Sequence, residues 1–309
     1  MRRFPWKISV VLLLLNQCTD NNLANIPGHS DEGEKFTELT KNTVYDLVGE
    51  VEVKFDTYHT QGILKIGEYY YLSSVEITEA RRRLEQPDAE GYDTTPGKGI
   101  GHLFKIDAQG NLVKDLQLID GGLYHPSGID FDGSYIWIGL AAYRPHSAAK
   151  IYRVDIDQME AEEIFDVQDH IGGLVYDRDA NLLYGLNWGS RIIYCWTPEG
   201  TEQYRYDNPS HYVDFQDAKY VGGHKMIASG MNKLDFGYDG LEAIRELGGM
   251  ALIDLPTGKI VHEVPIMIYL DGEMVISHNP MDVEVNVGQL NFYFAPEDNH
   301  TTIYIYQPR

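Results

Sequence analysis

Three histidines and one aspartate stand at equivalent positions of a motif that recurs along the chain. The motif is an apolar or aromatic run, a polar residue, and then a Gly or Asp that leads into a new apolar run. Three residues before that Gly or Asp stand His59, His125, His170 and Asp214. Imidazole and carboxylate groups suit divalent-metal ligation or general acid–base catalysis near neutral pH. We therefore predict a site wherever the copies of this motif converge.

The motif also sets the periodicity of the chain. A fifth, degenerate copy has Asn279, beside His278, at the same position. The motif Gly or Asp residues fall at 62, 128, 173, 217 and 282, with spacings of 66, 45, 44 and 65. The two longer units carry insertions, Glu79–Gly99 and Leu234–Gly249, the second with a short helix expected around Leu241–Leu247. Self-similarity at such a period is typical of a repeat architecture.

Each unit contains about four short apolar strands separated by turn signals such as Asp132-Gly133. The last unit lacks a fourth strand, and Val44–Phe55 precedes the first motif as an unassigned strand. Closing a ring with that strand removes exposed sheet edges. The sequence predicts an all-β propeller of five four-stranded blades. Six blades stay open as an alternative if Pro265–Ser277 forms a degenerate blade.

In an up-and-down meander, the segment entering the first strand and the loop between strands two and three share one face of the ring. We therefore expect the motif residues to surround the mouth of the central channel. Loops on that face also carry cations and large aromatic residues: Arg144, Arg191, Lys233, Tyr143 and Trp188. The cations would bind a carboxylate, sulfate or phosphate, and the rings would stack on a sugar or aromatic ring. The alternative is that each cation pairs with a local acid.

The domain from Val44 to Arg309 resembles secreted bacterial and fungal β-propellers in the style of the strictosidine-synthase-like and gluconolactonase-like proteins. The resemblance rests on His59-Thr60-Gln61-Gly62 and His125-Pro126-Ser127-Gly128-Ile129-Asp130. It implies the propeller architecture. It implies little about activity, because propellers host unrelated functions.

The N-terminus predicts export. Residues 1–18 combine Arg2 and Arg3 with an apolar run that is too short to span a bilayer. Cys18 ends this run as in a bacterial lipoprotein signal, where the cysteine is lipidated; an ordinary cleaved signal is the alternative. Residues 19–43 are polar and without periodicity, which predicts a flexible tether before a propeller domain at 44–309.

The overall composition of the chain limits the classes of partner that the protein can bind. The 309 residues carry a net charge of −22, which argues against binding the phosphate backbone of nucleic acids. We expect a monomer that contacts a membrane only through an N-terminal lipid and resides in the periplasm, on the cell envelope or outside the cell.

Two functions remain open from the sequence. In the first, the protein binds a small anionic or sugar-like ligand at the channel mouth and acts as a hydrolase or lyase. His59, His125, His170 and Asp214 would be its acid–base groups, with the three histidines holding a divalent metal. In the second, the propeller is a non-catalytic scaffold for a protein or glycan. The absence of a dense motif such as His-Glu-x-x-His keeps this alternative open.

Overall fold

The computed structural model describes residues 30–235 and 244–309. They form five antiparallel sheets of four strands arranged in a ring, so the five-bladed propeller prediction is confirmed. Blade one contains β2 (His59–Ile66), β3 (Tyr69–Glu79), β4 (Lys98–Ile106) and β5 (Leu112–Leu118). Blade two contains β6 (His125–Pro126), β7 (Asp130–Phe131), β8 (Tyr135–Ala141), β9 (Ala149–Asp155) and β10 (Ala161–Val167). In this blade β6 and β7 both pair with β8 and act as one interrupted first strand.

Blades three and four follow the same meander. Blade three contains β11 (Ile171–Asp177), β12 (Leu182–Asn187), β13 (Ile192–Trp196) and β14 (Glu202–Asp207), with a 3-10 turn at Trp188–Ser190. Blade four contains β15 (Asp214–Tyr220), β16 (Lys225–Asp235), β17 (Ile244–Asp254) and β18 (Lys259–Ile266). The insertion predicted to hold a short helix instead extends β16 and β17 into a long hairpin. The pairing of Asp235 with Ile244 shows this, and residues 241–243 of the expected helix lie outside the described residues.

The fifth blade joins the two ends of the chain. It contains β21 (Met281–Asn286), β22 (Gln289–Phe294), β23 (Thr302–Pro308) and, on its outer edge, β1 (Tyr45–Glu52), which pairs antiparallel with β23. The predicted closure by the N-terminal strand is therefore confirmed. The candidate sixth blade is a two-stranded hairpin, β19 (Tyr269–Leu270) and β20 (Met274–Val275), followed by a 3-10 turn at Ile276–His278. This correction leaves five blades.

Hydrophobic side chains fill the gaps between blades rather than one central core. Among the described residues, five buried apolar clusters form, and each joins one pair of neighbouring blades. The strand periodicity explains this, since successive side chains point to opposite sheet faces. Leu72 of β3, for example, packs toward blade five, while Tyr71 packs toward blade two. The core therefore fixes the angles between blades, and these angles set the shape of the channel mouth.

The segment before β1 packs against the ring over the part that the structure describes. Helix α1 (Ser30–Phe36) and the turn after it place Phe36 and Leu39 in the cluster between blades four and five, both buried. The tether predicted for residues 19–43 stays a prediction, and within it Phe36 and Leu39 lie against the ring. The export signal and Cys18 lie outside the described residues and stay predictions. Within those residues no helix is both long and apolar enough to cross a bilayer.

Glycines of the repeated motif let the inner strands touch at the axis. A Cβ on Gly62 would lie 2.7 Å from the Ile129 nitrogen and 2.8 Å from the Gly128 Cα. Backbone hydrogen bonds then link neighbouring inner strands, since the Gly128 N–H donates to the Gly172 carbonyl over 2.8 Å. The requirement for close backbone approach explains why the motif keeps glycine here.

We expect Gly62→Ala to lower the free energy of unfolding by at least about 2 kcal/mol, because the added methyl group would clash with the backbone of the neighbouring inner strand. Urea denaturation measures the change. Gly122→Ala is the matched control, since a Cβ there meets nothing within 4 Å. Equal stability of the two variants would contradict this account of the motif.

Candidate functional site

The repeated motif builds a β-bulge at the start of the inner strand. In blades one, three and four the pairing of strands one and two shifts by one residue, between Thr60 and Gly62, Ile171 and Gly173, and Phe215 and Asp217. A bulge leaves one residue unpaired and redirects it. The three unpaired residues, Gln61, Gly172 and Gln216, all line one cavity at the channel mouth. The bulges of the repeat therefore bring one residue from each of three blades to the cavity, with the side chains of Gln61 and Gln216 and the backbone of Gly172.

The cavity has a volume of about 260 Å³ and gathers most of the residues predicted from sequence. Its lining includes His59, His125, His170, Asp214, Tyr143 and Trp188. The ring centroids of His59 and His125 are 6.3 Å apart, and those of His125 and His170 are 5.5 Å apart. Three blades thus place three imidazoles side by side at one wall.

His125 is buried without any hydrogen-bond partner. It is only 4 % exposed, and neither ring nitrogen has a partner in the described structure. Its ring stacks on Tyr143, with centroids 4.3 Å apart. Burial holds the pKa of His125 well below its usual range, and repulsion by His170 and His59 when they are protonated and by Arg81 adds to this, against an opposing contribution from the Pro126 backbone. The imidazole is therefore neutral at pH 7, and both of its nitrogens are shielded although the ring lines the cavity.

His170 is also buried, and its orientation is fixed. Its Nδ1 lies 2.9 Å from the carbonyl oxygen of Ala142. Because a carbonyl oxygen only accepts, Nδ1 carries the proton and Nε2 keeps a free lone pair. Asp169, just before it, accepts hydrogen bonds from the His170 N–H and from the side chains of Asn187 and Tyr194. Burial lowers the pKa of His170 to about 4, so this ring is neutral as well.

His59 is the most exposed of the three and has a carboxylate partner. Its Nδ1 lies 2.8 Å from Asp298 Oδ1, in a blade-five loop 239 residues away in sequence. Asn279 donates to the same oxygen over 3.3 Å and to the Pro296 carbonyl over 2.7 Å. Burial opposes ionisation of Asp298, but hydrogen bonds from His59 and Asn279 and the charge of His59 leave its pKa lowered. Asp298 thus fixes the ring of His59 and leaves Nε2 for the cavity.

An arginine that the sequence analysis did not select lies against the aromatic wall. The guanidinium of Arg81 lies 4.1 Å from the ring centroid of Tyr143 and 5.3 Å from that of Trp188. It also donates to the Tyr143 carbonyl over 3.1 Å. Arg81 is absent from the ion pairs formed among the described residues, such as those of Arg82 and Arg144. Arg81 is therefore a cation beside two residues that line the cavity, and it forms no ion pair among the described residues.

The insertion between β3 and β4 holds Arg81 in place. It forms a hairpin in which Arg83 bridges Thr94. Its Asp88 carboxylate accepts from Arg144 over 3.1 Å, and the guanidinium of Arg144 lies 4.4 Å from the ring of Tyr92. These contacts clamp the insertion onto the blade-two loop that carries Tyr143. The insertion is thus a structural part of the site.

Two of the three predicted anion-binding cations are not at the cavity. Arg144 pairs with Asp88 and Glu90 of the insertion, and Lys233 lies 3.8 Å from Glu246 on β17. Arg191 is near the cavity but pairs with Asp214 over 2.7 Å. This corrects the expectation that three loop cations together face a ligand. In this acidic chain, each of the three cations pairs with a carboxylate.

The three histidines do not form a preorganised metal site. Among the described residues, one set of three candidate ligands has all its ligand atoms within 4.8 Å of one another, and it is Asp177, Asp179 and His224. That set lies at the opposite end of the inner strands. Its groups already bond one another and the Gly223 backbone, with His224 Nδ1 2.9 Å from Asp177 Oδ2.

Buried charges close the channel below the cavity. Asp217 and Lys219 form an ion pair of 2.7 Å in which both side chains are buried. Lys219 also donates to the Ile129 carbonyl over 2.7 Å, and Asp282 accepts from the Lys65 N–H over 2.6 Å. Burial raises the pKa of Asp217 to about 6 and that of Asp282 to about 7, although Lys219 opposes both shifts.

Comparisons with solved structures found distant likenesses. A luciferin-regenerating enzyme is 9% identical, with 85% of this chain and 95% of that chain covered and a TM-score of 0.47. A DUF4221 family member from Bacteroides vulgatus is also 9% identical, covering 88% and 99% of the two chains at a TM-score of 0.38. Hydrazine synthase from Kuenenia stuttgartiensis is 14% identical, covering 80% and 58% at a TM-score of 0.39. Likenesses this distant carry no argument about activity.

No curated protein matches the chain in sequence. The relation to strictosidine-synthase-like and gluconolactonase-like propellers stays a resemblance. A family model does match, over residues 32–308, and this range covers all five blades and most of the helix before β1. The chain therefore belongs to the family of unknown function DUF6454.

Proposed function

We propose that the channel mouth binds a small molecule that combines a sugar or aromatic ring with a carboxylate. This proposal rests on His125, whose buried ring nitrogens have no hydrogen-bond partner in the described structure. A buried polar group without a partner costs about 1–3 kcal/mol, and native proteins seldom retain one. A ligand in the cavity would donate to the free Nε2 of His170 and, after a small rotation of the buried His125 ring, would supply a partner for His125.

The charge of the ligand follows from Arg81. The chain carries a net charge of −22, and the other two cations nearest the mouth, Arg144 and Arg191, are already paired with acids. Arg81 is held instead by aromatic rings and one carbonyl. A guanidinium in this state presents its remaining N–H groups to a carboxylate in the bidentate geometry that it favours.

The ring of the ligand follows from Trp188, which lines the cavity and meets His170 edge-on at 4.8 Å. The neighbouring Tyr143 ring, 5.6 Å from Trp188, is already stacked on His125 and contacted by Arg81. An indole surface such as that of Trp188 stacks on flat or sugar rings. The cavity of about 260 Å³ lies just below the range of about 300–1,000 Å³ of most small-molecule sites, which limits the ligand to roughly one ring with its substituents.

Calorimetric titration with two acids and their uncharged counterparts tests the proposal. The acids are 4-hydroxybenzoate and D-galacturonate, and the counterparts are 4-hydroxybenzamide and D-galactose. We expect at least one acid to bind roughly tenfold or more tighter than its counterpart, since a charge-assisted hydrogen bond contributes about 1.5–3 kcal/mol. Arg81→Gln should remove this difference.

Arg82→Gln is the matched control. Arg82 is the next residue, but it is exposed and pairs with Glu79, so its substitution should leave affinity unchanged. Equal affinity for an acid and its amide, or no measurable binding of any probe, would overturn the proposal.

A further inference from the structure

We propose that the insertion between β3 and β4, residues 80–97, is a lid that lifts to admit a ligand to the wall formed by His125 and Tyr143. The structure holds this lid in its closed position, latched to blade two by Arg144. The lid controls access to the pocket assigned above, so this inference rests on the proposed function. It gives a role to Arg144, which does not line the cavity itself.

The closed lid shields the ring nitrogens of His125. His125 lines the cavity, yet both of its ring nitrogens are buried and without a partner in the described structure. The ring of Tyr143 stacks on that of His125, with centroids 4.3 Å apart. Arg81 of the insertion holds Tyr143 in turn, with its guanidinium 4.1 Å from the ring centroid and a hydrogen bond of 3.1 Å to the Tyr143 carbonyl. The His125 ring can therefore turn toward a ligand only when Tyr143 and the arginine above it give way.

The insertion is fastened to blade two by polar contacts rather than by the core. None of residues 80–97, all of which the structure describes, is buried. None of them belongs to the five apolar clusters that join the blades. Hydrogen bonds, ion pairs and cation–ring contacts hold the insertion instead. A segment with few buried apolar contacts opens locally at a small cost in free energy, so the insertion can move without disturbing the blades.

The polar contacts at the tip of the insertion converge on one arginine. Arg144 is only 8% exposed, and its Nη1 lies 3.1 Å from Asp88 Oδ2 and 3.7 Å from Glu90 Oε2. Its guanidinium also lies 4.4 Å from the ring centroid of Tyr92. The hydroxyl of Tyr92 donates to the carbonyl of His146 over 2.9 Å. Three residues of the tip therefore close on one blade-two loop, the loop between β8 and β9, and Arg144 is the centre of this latch.

The insertion is paired internally, so it can move as one unit. The Leu84 N–H donates to the Asp93 carbonyl over 2.7 Å, and the Thr95 N–H donates to the Arg82 carbonyl over 2.8 Å. Gly97, where the insertion returns to β4, has a φ of 70°, a conformation that glycine adopts without a steric penalty. Lifting the tip breaks contacts with blade two and leaves the internal bonds of the insertion intact. Gly97 provides the pivot.

Closure of the lid also determines how Arg81 meets the ligand. Arg81 belongs to the insertion, so its guanidinium moves with the lid. An open lid leaves Tyr143 without the cation that holds it, and a closed lid places that cation beside the carboxylate of a bound ligand. A ligand that contacts Arg81 therefore binds the closed position more tightly and shifts the lid toward it. Loops beside binding sites commonly close on their ligands in this way.

Modification of histidines by diethyl pyrocarbonate tests the lid without any ligand. This reagent acylates neutral imidazole nitrogens that it can reach, and mass spectrometry gives the rate at each histidine. In the wild type we expect His125 to react at least about tenfold more slowly than His300, which is 77% exposed. Arg144→Met should raise the rate at His125 about tenfold or more and leave the rate at His300 unchanged, because it removes a charged hydrogen bond and a cation–ring contact.

Arg153→Met is the matched control. Arg153 is also a blade-two arginine that pairs with an acid, Glu162, and lies over a tyrosine ring, that of Tyr135, but it does not touch the insertion. Its substitution should leave the rate at His125 within about twofold of the wild-type rate.

Tyr92→Phe is a milder second variant that decides the matter if urea denaturation shows Arg144→Met to be globally unstable. It deletes only the hydrogen bond to the His146 carbonyl, and it should raise the rate at His125 by about twofold to tenfold.

The outcomes separate the lid from the proposed function. Equal His125 rates in the wild type and in folded latch variants would overturn the lid and leave the proposed function standing. A wild-type His125 that reacts as fast as His300 would also overturn the lid. Faster reaction in the latch variants, together with no binding of any probe acid in the titration above, would support the lid and overturn only the proposed function. If an acid binds, its association rate in stopped-flow mixing should rise in Arg144→Met, and an unchanged rate would show that the insertion does not limit entry.

Discussion

Replacing Lys219 with Met is expected to lower the free energy of unfolding by about 3–5 kcal/mol at pH 8 and by much less at pH 5. Lys219 is 2% exposed and lies 2.7 Å from the fully buried carboxylate of Asp217. Removing one partner of a buried ion pair leaves an uncompensated charge, and the measured cost is usually in this range.

The pH dependence follows from the two raised carboxyl pKa values. Asp217 and Asp282 titrate at about 6 and about 7 in the folded protein, against 3.8 ordinarily. Groups with raised carboxyl pKa values favour the folded state below pH 4, and that contribution is lost as pH rises toward 7. Without Lys219 both carboxylates are harder to ionise, so the loss in free energy of unfolding caused by the substitution grows with pH. At pH 5 both are protonated in the folded protein and the missing lysine matters little.

Urea denaturation at the two pH values measures this effect. Lys259→Met, at an exposed strand end, is the control and should change stability by less than about 0.5 kcal/mol at either pH. The double variant Lys219→Met with Asp217→Asn should recover at least about 2 kcal/mol of the free energy of unfolding at pH 8, because it has no buried unpaired carboxylate at position 217. The same loss at pH 5 and pH 8 would show that Lys219 acts by packing alone.

Replacing His125 with Phe should make the protein more stable while removing the ability of the mouth to bind its ligand. The imidazole is buried, stacked on Tyr143, and has no hydrogen-bond partner. A phenyl ring keeps the stacking and avoids burying an unpaired polar group, which gains about 1–3 kcal/mol. The same change deletes the donor and the acceptor that the proposed ligand uses.

Two measurements on one variant separate function from folding. Chemical denaturation should give an increased free energy of unfolding, and titration with the acid that binds wild type should give an affinity reduced by about 50-fold or more. His300→Phe, at an exposed position, should change neither. A less stable His125→Phe protein would mean that the imidazole is a structural residue, and unchanged affinity would remove it from the site. A gain in stability on loss of function is typical of residues kept for binding.

Much of this architecture could be predicted from the sequence because the signals are periodic. The recurring motif predicted the number of blades, and the unassigned strand before the first motif predicted how the ring closes. The shared motif position placed His59, His125 and His170 at one mouth, and the loop positions of Tyr143 and Trp188 placed the aromatic wall. These inferences need only the two-residue period of strands and the alternation of loops between faces.

The parts that could not be predicted depend on which partner a side chain finds in three dimensions. Arg144 and Lys233 were expected at the site, yet carboxylates of an insertion and of a neighbouring strand engage them. Asp298 meets His59 from the far end of the chain, and no local pattern marks that contact. For Arg81 one signal existed: three consecutive arginines at 81–83, directly after strand two, in a strongly acidic chain.

The pairing of β1 with β23 makes the fold depend on both ends of the chain at once. Tyr45 lies opposite Pro308, so the contact that completes the ring has nearly the longest sequence separation in the molecule. Contacts of this kind form late, because a long loop must close before they stabilise anything. The fifth blade cannot be completed before β23 is available to pair. Removing β23 would expose two strand edges, in β1 and β22, and would turn the closed ring into an open sheet able to recruit other chains.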